Sequence, residues 1–246
     1  MNEALLATEK DPMGHAIKDY YENHRDKGLI VSSSQFEDDT IPVKQLFRTY
    51  SRMPLLERKA LELASGEILD VGAGSGCHAL ALQRMGKTVC AIDISTLSVE
   101  VMKQRGVREV YAVNLFDERF EQKFDTILLL MNGSGLIGRL ENMPLFFQRM
   151  KQLLRPGGSV LLDSSDLCYL YEDDEGGYEI DLDGEYYGLV DFRMRYDNVL
   201  GDRFDWLYID FDTLAYYAEL HGFAAEKVCE GKHFDYLARL MPVADK

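Results

Sequence analysis

From Gly66 onward, short apolar runs alternate with segments whose apolar residues recur every three or four positions. A short apolar run bounded by turn residues suits a strand buried on both faces, and the longer period suits an amphipathic helix. The pattern predicts a first strand at EILDV and a helix at HALALQRM closed by Gly86. A second strand at TVCAIDI is followed by a helix at LSVEVMKQR closed by Gly106. EVYAV and FDTILLL supply strands three and four, a helix runs through Phe146, Met150 and Leu154, and SVLLDSS after the turn RPGG is strand five. Strands alternating with helices build a parallel sheet with helices on both faces.

Both ends depart from this alternation. Before Gly66 the apolar-periodic pieces are Ala16 to Tyr21, Val43 to Tyr50 and Leu55 to Leu63, with Pro54 at the first turn of the last helix. They predict a helical cap over residues 1–63, in which LIVSSSQFEDDTIP is a loop turning at Pro42. Beyond strand five, the stretch from Tyr178 to Phe211 alternates polar and apolar residues and is rich in Tyr and Phe. It predicts an antiparallel β insertion after strand five, over residues 170–211, with Asp183-Gly184 and Gly201-Asp202 as turns. DTLAYYAELHGF then reads as a helix capped by Asp212 and stopped by Gly222, and AEKVCEG and DYLARLM as the last two strands. Residues 64–246 thus form one α/β domain with a mostly parallel seven-stranded sheet.

Charge narrows the partners. With 27 Lys and Arg against 42 Asp and Glu, the net charge is −15, and no basic block is present. Phosphate neutralisation supplies most nucleic-acid affinity, so nucleic acid and anionic membrane surfaces are disfavoured. No apolar run approaches the ~20 residues of a membrane-spanning helix, and the N-terminus lacks the basic start and apolar stretch of a secretory signal. Cys77, Cys90, Cys168 and Cys229 are far apart without a C-x-x-C pair, which argues against a zinc site and fits reduced thiols. The run Glu172-Asp173-Asp174-Glu175 reads as a solvated loop and not as a metal site. A soluble, cytoplasmic protein is expected, with a homodimer contact open at the cap or the insertion.

The sharpest feature is Asp70-Val71-Gly72-Ala73-Gly74-Ser75-Gly76-Cys77-His78, between a strand and a helix. Glycines there let the backbone turn tightly and let a ligand approach closer than a Cβ would permit. Gly74-x-Gly76-x-x-Ala79 satisfies a loose dinucleotide fingerprint, and Asp93 at the end of strand two suits a ribose in either of two cofactor classes. Pyrophosphate favours a helix N-terminus free of negative charge. Asp70 just before the first glycine suits a cationic, zwitterionic ligand such as S-adenosylmethionine better than a nicotinamide dinucleotide.

ILDVGAGSG resembles motif I of the class I S-adenosylmethionine-dependent methyltransferases, and AIDIS resembles their second motif. FDTILLL followed by MNG is similar to their fourth-strand motif, and LLRPGGSVLLD to the turn and fifth strand that follow. The resemblance spans Ile68 to Asp163 and implies a Rossmann-like α/β fold with S-adenosyl-L-methionine as cofactor. It implies cofactor contacts at Asp70, Gly72, Ala73, Gly74 and Gly76, and at Asp93 and Ile94 after strand two. Asn114 and Leu115 after strand three, and Met131 and Asn132 after strand four, complete the set; Phe116 and Leu115 are candidates to flank the adenine or to pack in the core. Asn114 stands where many members carry an acidic residue, and Met131-Asn132-Gly133 replaces the N-P-P-Y type sequence of enzymes that methylate exocyclic or amide nitrogens.

Methyl transfer from a sulfonium needs alignment and exclusion of water, and a general base only for a protonated acceptor. Ligands of open α/β sheets bind beyond the carboxyl ends of the strands. That places Asn132, Gly133, Ser164, Ser165 and Asp166 near a small-molecule acceptor, with Tyr20, Tyr21 and His24 closing from the cap. Asp166, Tyr20, Tyr21 and His24 are the catalytic candidates, each with a packing or capping role as its alternative. His78 contacts the cofactor or fills space between helix and sheet. A non-catalytic cofactor-binding or interaction module and a nicotinamide-dependent oxidoreductase remain the rival functions.

Overall fold

The computed structural model describes residues 4–173, 177–180 and 184–243. The chain opens with helix α1 (Pro12–Asn23), whose N-cap Asp11 accepts from the Gly14 amide and whose Pro12 sits where an N–H is not needed. Strands β1 (Leu29–Ser32) and β2 (Asp39–Ile41) follow, then helix α2 (Leu55–Leu63). The stretch read as a loop therefore contains two strands. β1 pairs with β2 on one side and with a strand about 160 residues further on at the other, and that distant partner is what local composition does not reveal. Val43–Phe47 and Tyr50–Arg52 form short 3-10 turns in place of one periodic helix.

The alternating region folds as its pattern predicts: β3 (Glu67–Val71), α3 (Cys77–Arg84), β4 (Thr88–Asp93), α4 (Thr96–Gln104), β5 (Glu109–Ala112) and β6 (Phe124–Leu129). Helix α5 (Met143–Leu153) leads into β7 (Leu154–Ser165). After β8 (Leu189–Tyr196) and β9 (Val199–Leu207) come α6 (Phe211–Leu220), β10 (Phe223–Glu230) and β11 (Asp235–Pro242).

The larger sheet has the order β10-β11-β7-β6-β3-β4-β5. It is parallel except at β11, which is antiparallel to both neighbours. Order reverses between β3 and β6, so the crevice for a ligand opens beyond their carboxyl ends. Buried side chains pack on both faces: Phe124, Phe146 and Phe147 in one cluster, Leu61, Ile68 and Leu82 in the other. The smaller sheet, β2-β1-β8-β9, is antiparallel throughout, so the N-terminal segment and the insertion share one sheet.

Two local expectations change. The β8–β9 turn is Asp197-Asn198, with Asp197 at φ 52°, while Gly201 and Asp202 lie inside β9. Asp210, not Asp212, caps α6 by accepting from the Thr213 amide. Asp183 of the other expected turn, and Asp174 and Glu175 of the acidic run, lie outside the described residues.

Candidate active site

The loop after β3 is built for close approach. Gly72 and Gly74 hold φ of 65° and 54°, and a Cβ at either would meet only the side chain of Leu136 or of Ile17, no nearer than 3.7 Å. Their backbone faces a cavity of about 1400 Å³ shared with Ala73, Met131 and Asn132. Gly76 does a different job. At φ 81° it starts α3, and a Cβ there would sit 2.9 Å from Met102, so it lets α3 pack closely on α4 and does not line the cavity.

Asp93 ties the loop down. Its Oδ2 accepts from the Gly74 amide at 2.8 Å and its Oδ1 from the Ser95 amide at 2.8 Å. Burial pushes its carboxyl up to about 6, against those two N–H groups, with Asp11 and Asp70 adding repulsion. Each carboxylate oxygen keeps a lone pair for a further donor. Asp70 is buried beneath the loop, and its Oδ2 has no hydrogen-bond partner among the described residues. Burial, offset by the nearby His78, raises its carboxyl above the ordinary aspartate value.

Asp70, Asp93, Ile94, Asn114 and Leu115 do not line the cavity. Asp93 pairs with Ala112 at the adjoining ends of β4 and β5, so Asp93, Ile94 and Asn114 form a ledge beside the cavity. Ile94 and Met131 are 39% and 42% exposed, apolar side chains left open on that edge. Asn114 Oδ1 accepts from the Phe116 amide at 2.9 Å. Leu115 and Phe116 belong to the main core, and Arg149 Nε binds the Leu115 carbonyl at 2.6 Å, so neither is placed to flank a bound ring.

Of the acceptor-side candidates, Asn132, Gly133, Ser165 and Tyr20 line the cavity. Ser164 is fully buried and its hydroxyl takes the Ile209 amide at 2.9 Å. Asp166 accepts from the Cys168 amide and the Tyr187 hydroxyl, at 2.9 and 2.8 Å, as a capping residue outside the cavity. Tyr21 packs in the cap core, and His24 ends α1 in a left-handed conformation on the surface. Neither lines the cavity.

Several residues here gave no signal in the sequence. Asp163 of β7 accepts from the amides of Met131 at 3.1 Å and Gly133 at 3.0 Å, holding a turn in which Met131 and Asn132 both have positive φ, 69° and 56°. Burial pushes the Asp163 carboxyl up to about 6. Arg48 and Glu57 form a bidentate pair at 2.9 and 2.5 Å, and His78 Nε2 lies 2.9 Å from Glu57 Oε2. Burial disfavours a charged His78, yet Cys77, Glu57 and Asp70 raise it well above the ordinary histidine value. This network clamps the cap onto α3, and His78 also faces the cavity.

Fold and site together define an α/β nucleoside-binding domain whose glycine loop lines one half-open cavity shared with the small antiparallel sheet. The chain belongs to the class I S-adenosylmethionine-dependent methyltransferases. Its residues 69–162 match the methyltransferase domain family. It is 65% identical to an S-adenosylmethionine-dependent methyltransferase from Bacteroides fragilis solved with S-adenosyl-L-homocysteine, over 99% of this chain and 100% of that one, with a TM-score of 0.94. A cypemycin N-terminal methyltransferase from Streptomyces is 32% identical over 40% of this chain. A ubiquinone biosynthesis O-methyltransferase from Xanthomonas euvesicatoria is 30% identical over 42% of it. The chain spans only 42% and 45% of the length of these two curated relatives. The sugar N-methyltransferase KedS8 from Streptoalloteichus, 13% identical with a TM-score of 0.58 over 87% of this chain, shares the fold. Among the described residues, no helix is long and apolar enough to cross a membrane.

Proposed function

We propose that this chain transfers a methyl group from S-adenosylmethionine to a small-molecule acceptor. The observation that carries the reading is continuity: the cavity lined by Gly72, Gly74 and Asn132 runs on beneath the antiparallel sheet to Phe192, Phe204 and Trp206. A deep cavity between two sheets suits a small molecule better than a protein surface.

The residues present fit the cofactor. The positive-φ glycines leave a cradle that any Cβ would intrude on, the unpartnered Asp70 Oδ2 lies beneath it, and exposed Ile94 and Met131 offer apolar contact at its edge. On this reading Asp93 holds the nucleoside through its remaining lone pairs, Asn114 lies beside it at the end of β5, and Gly72 to Gly74 hold the amino-acid end. Asn114 and Asn132 lie after β5 and β6, three strand spacings of about 4.8 Å apart, roughly 14 Å. That reach suits an extended nucleoside with an amino-acid arm. When bound, S-adenosylmethionine supplies an electrophilic methyl group on a sulfonium leaving group. The chain's part is alignment and dryness. Asp163 fixes the Met131–Gly133 turn where the glycine loop meets the rest of the cavity, and the four-stranded sheet covers one side of that cavity. Tyr20 is the one sequence-derived base candidate that faces the cavity.

Calorimetric titration with S-adenosylmethionine tests the reading. Micromolar binding is expected, lost in Gly74→Val and Asp93→Ala. A folded wild-type protein that shows no binding would falsify it.

A further inference from the structure

Building on the methyl-transfer reading, we propose that the end of the cavity beneath the small sheet is a slot for a planar aromatic acceptor, walled by Phe192, Phe204 and Trp206. The wall is one face of the small sheet. Side chains alternate along strands, and Val31 of β1, Phe192 and Met194 of β8, and Phe204 and Trp206 of β9 all point into the cavity. Val31 pairs with Met194, and Phe192 lies directly opposite Phe204. The reverse face is charged: Asp191 pairs across the strands with Asp205 and Arg193 with Arg203, and Arg139 reaches Asp205 at 2.5 Å.

The ring geometry suits a flat guest. Phe192 and Phe204 are tilted by 55° with centroids 6.3 Å apart, and Phe204 and Trp206 stand at 74° and 6.0 Å. None of these pairs stacks face to face, and all three rings are half-buried, so aromatic surface remains to meet a guest. Trp206 packs directly on the Gly135 backbone, so close that a Cβ there would fall 1.9 Å from the indole. The cavity-lining residues of β8 and β9 carry no carboxylate, whereas Glu37 and Asp39 line the cavity from the β1–β2 side of the same sheet. Opposite the rings, Asn132 Oδ1 accepts from Ser165 Oγ at 2.9 Å, which leaves the Asn132 amide donors for an oxygen on the ring.

Trp206 is the single tryptophan of the chain, so its emission reports on the slot. The protein, saturated with S-adenosylhomocysteine, is titrated with 4-phenylphenol and with its saturated analogue 4-cyclohexylcyclohexanol, by fluorescence and by calorimetry. The aromatic compound is expected to bind at least about tenfold more tightly. Phe192→Leu keeps apolar bulk but removes a ring, and should cut that preference severalfold while S-adenosylhomocysteine affinity, which also reports folding, stays unchanged. Equal affinities, or binding of neither compound to the S-adenosylhomocysteine complex, would overturn the aromatic slot and leave methyl transfer standing. Failure to bind S-adenosylhomocysteine at all would sink both readings.

Discussion

Asp163 holds Gly133 across the gap between β7 and the turn after β6, its Oδ1 accepting the Gly133 amide at 3.0 Å while its Oδ2 takes Met131 at 3.1 Å. One carboxylate thereby fixes two consecutive left-handed residues, Met131 and Asn132, that no strand or helix supports. Asp163→Ala leaves the buried Gly133 amide without its acceptor, at a cost of about 1–3 kcal/mol. Asp163→Asn keeps one accepting oxygen and should lose less. Cofactor affinity, measured by calorimetry, should fall in the same order. Equal losses in the two variants would show that the pairing does not hold the turn.

Gly135 and Trp206 form the tightest contact between the insertion and the parallel sheet's loops. A methyl group at Gly135 would overlap the indole ring at 1.9 Å, and neither backbone nor a packed ring yields cheaply. Gly135→Ala should cost about 1–3 kcal/mol from overpacking and shift the emission of Trp206 toward that of an exposed indole. An unchanged spectrum with unchanged stability would contradict the contact.

Glu57 is the centre of the clamp between cap and α3. Glu57→Ala strips the carboxylate from both Arg48 and His78, and leaving buried charge without its partner costs about 3–5 kcal/mol. Arg48→Met leaves Glu57 paired with His78 and should cost less. Urea midpoints of the two variants check the order.

The pH dependence of stability has two parts. Asp163 and Asp93 carry folded values of about 6 against a usual 3.8, so the folded state holds more protons and stability falls as pH rises from about 4 to 6. His78 is raised well above 6.5 when folded; its stabilisation is complete below 6.5 and is lost as pH climbs through the raised value. His78→Gln should therefore flatten the alkaline decline in melting temperature and leave the acid-side slope in place. A variant with the wild-type slope above pH 6.5 would show that His78 is not the titrating group.

Much of the nucleotide-binding half was legible because its signals are local. The apolar runs at Ile68, Val89 and Ile127, and the glycines after Asp70, record burial on both faces and a tight turn, which neighbouring residues impose. The small sheet was harder to read. Asp39, Thr40 and Ile41 look like loop residues, and they become a strand only because β1 runs beside them and β8 beside β1. For Leu115 and Phe116 the sequence left ligand contact and core packing both open; the main core and the Arg149 bridge to the Leu115 carbonyl decided for packing.

The sequence by itself determined the individual parallel strands, the glycine loop and the acidic end of β4, since each is written in one short stretch of neighbouring residues. Only the tertiary structure decided that Arg48, Glu57 and His78 meet, that Asp163 holds the amide of Gly133, 30 residues before it, and that residues 29–41 line the same cavity as residues 189–207. The reason is physical. A buried charge or an edge strand is stable only once its partner is in place, and partners so distant in sequence leave no periodicity to read.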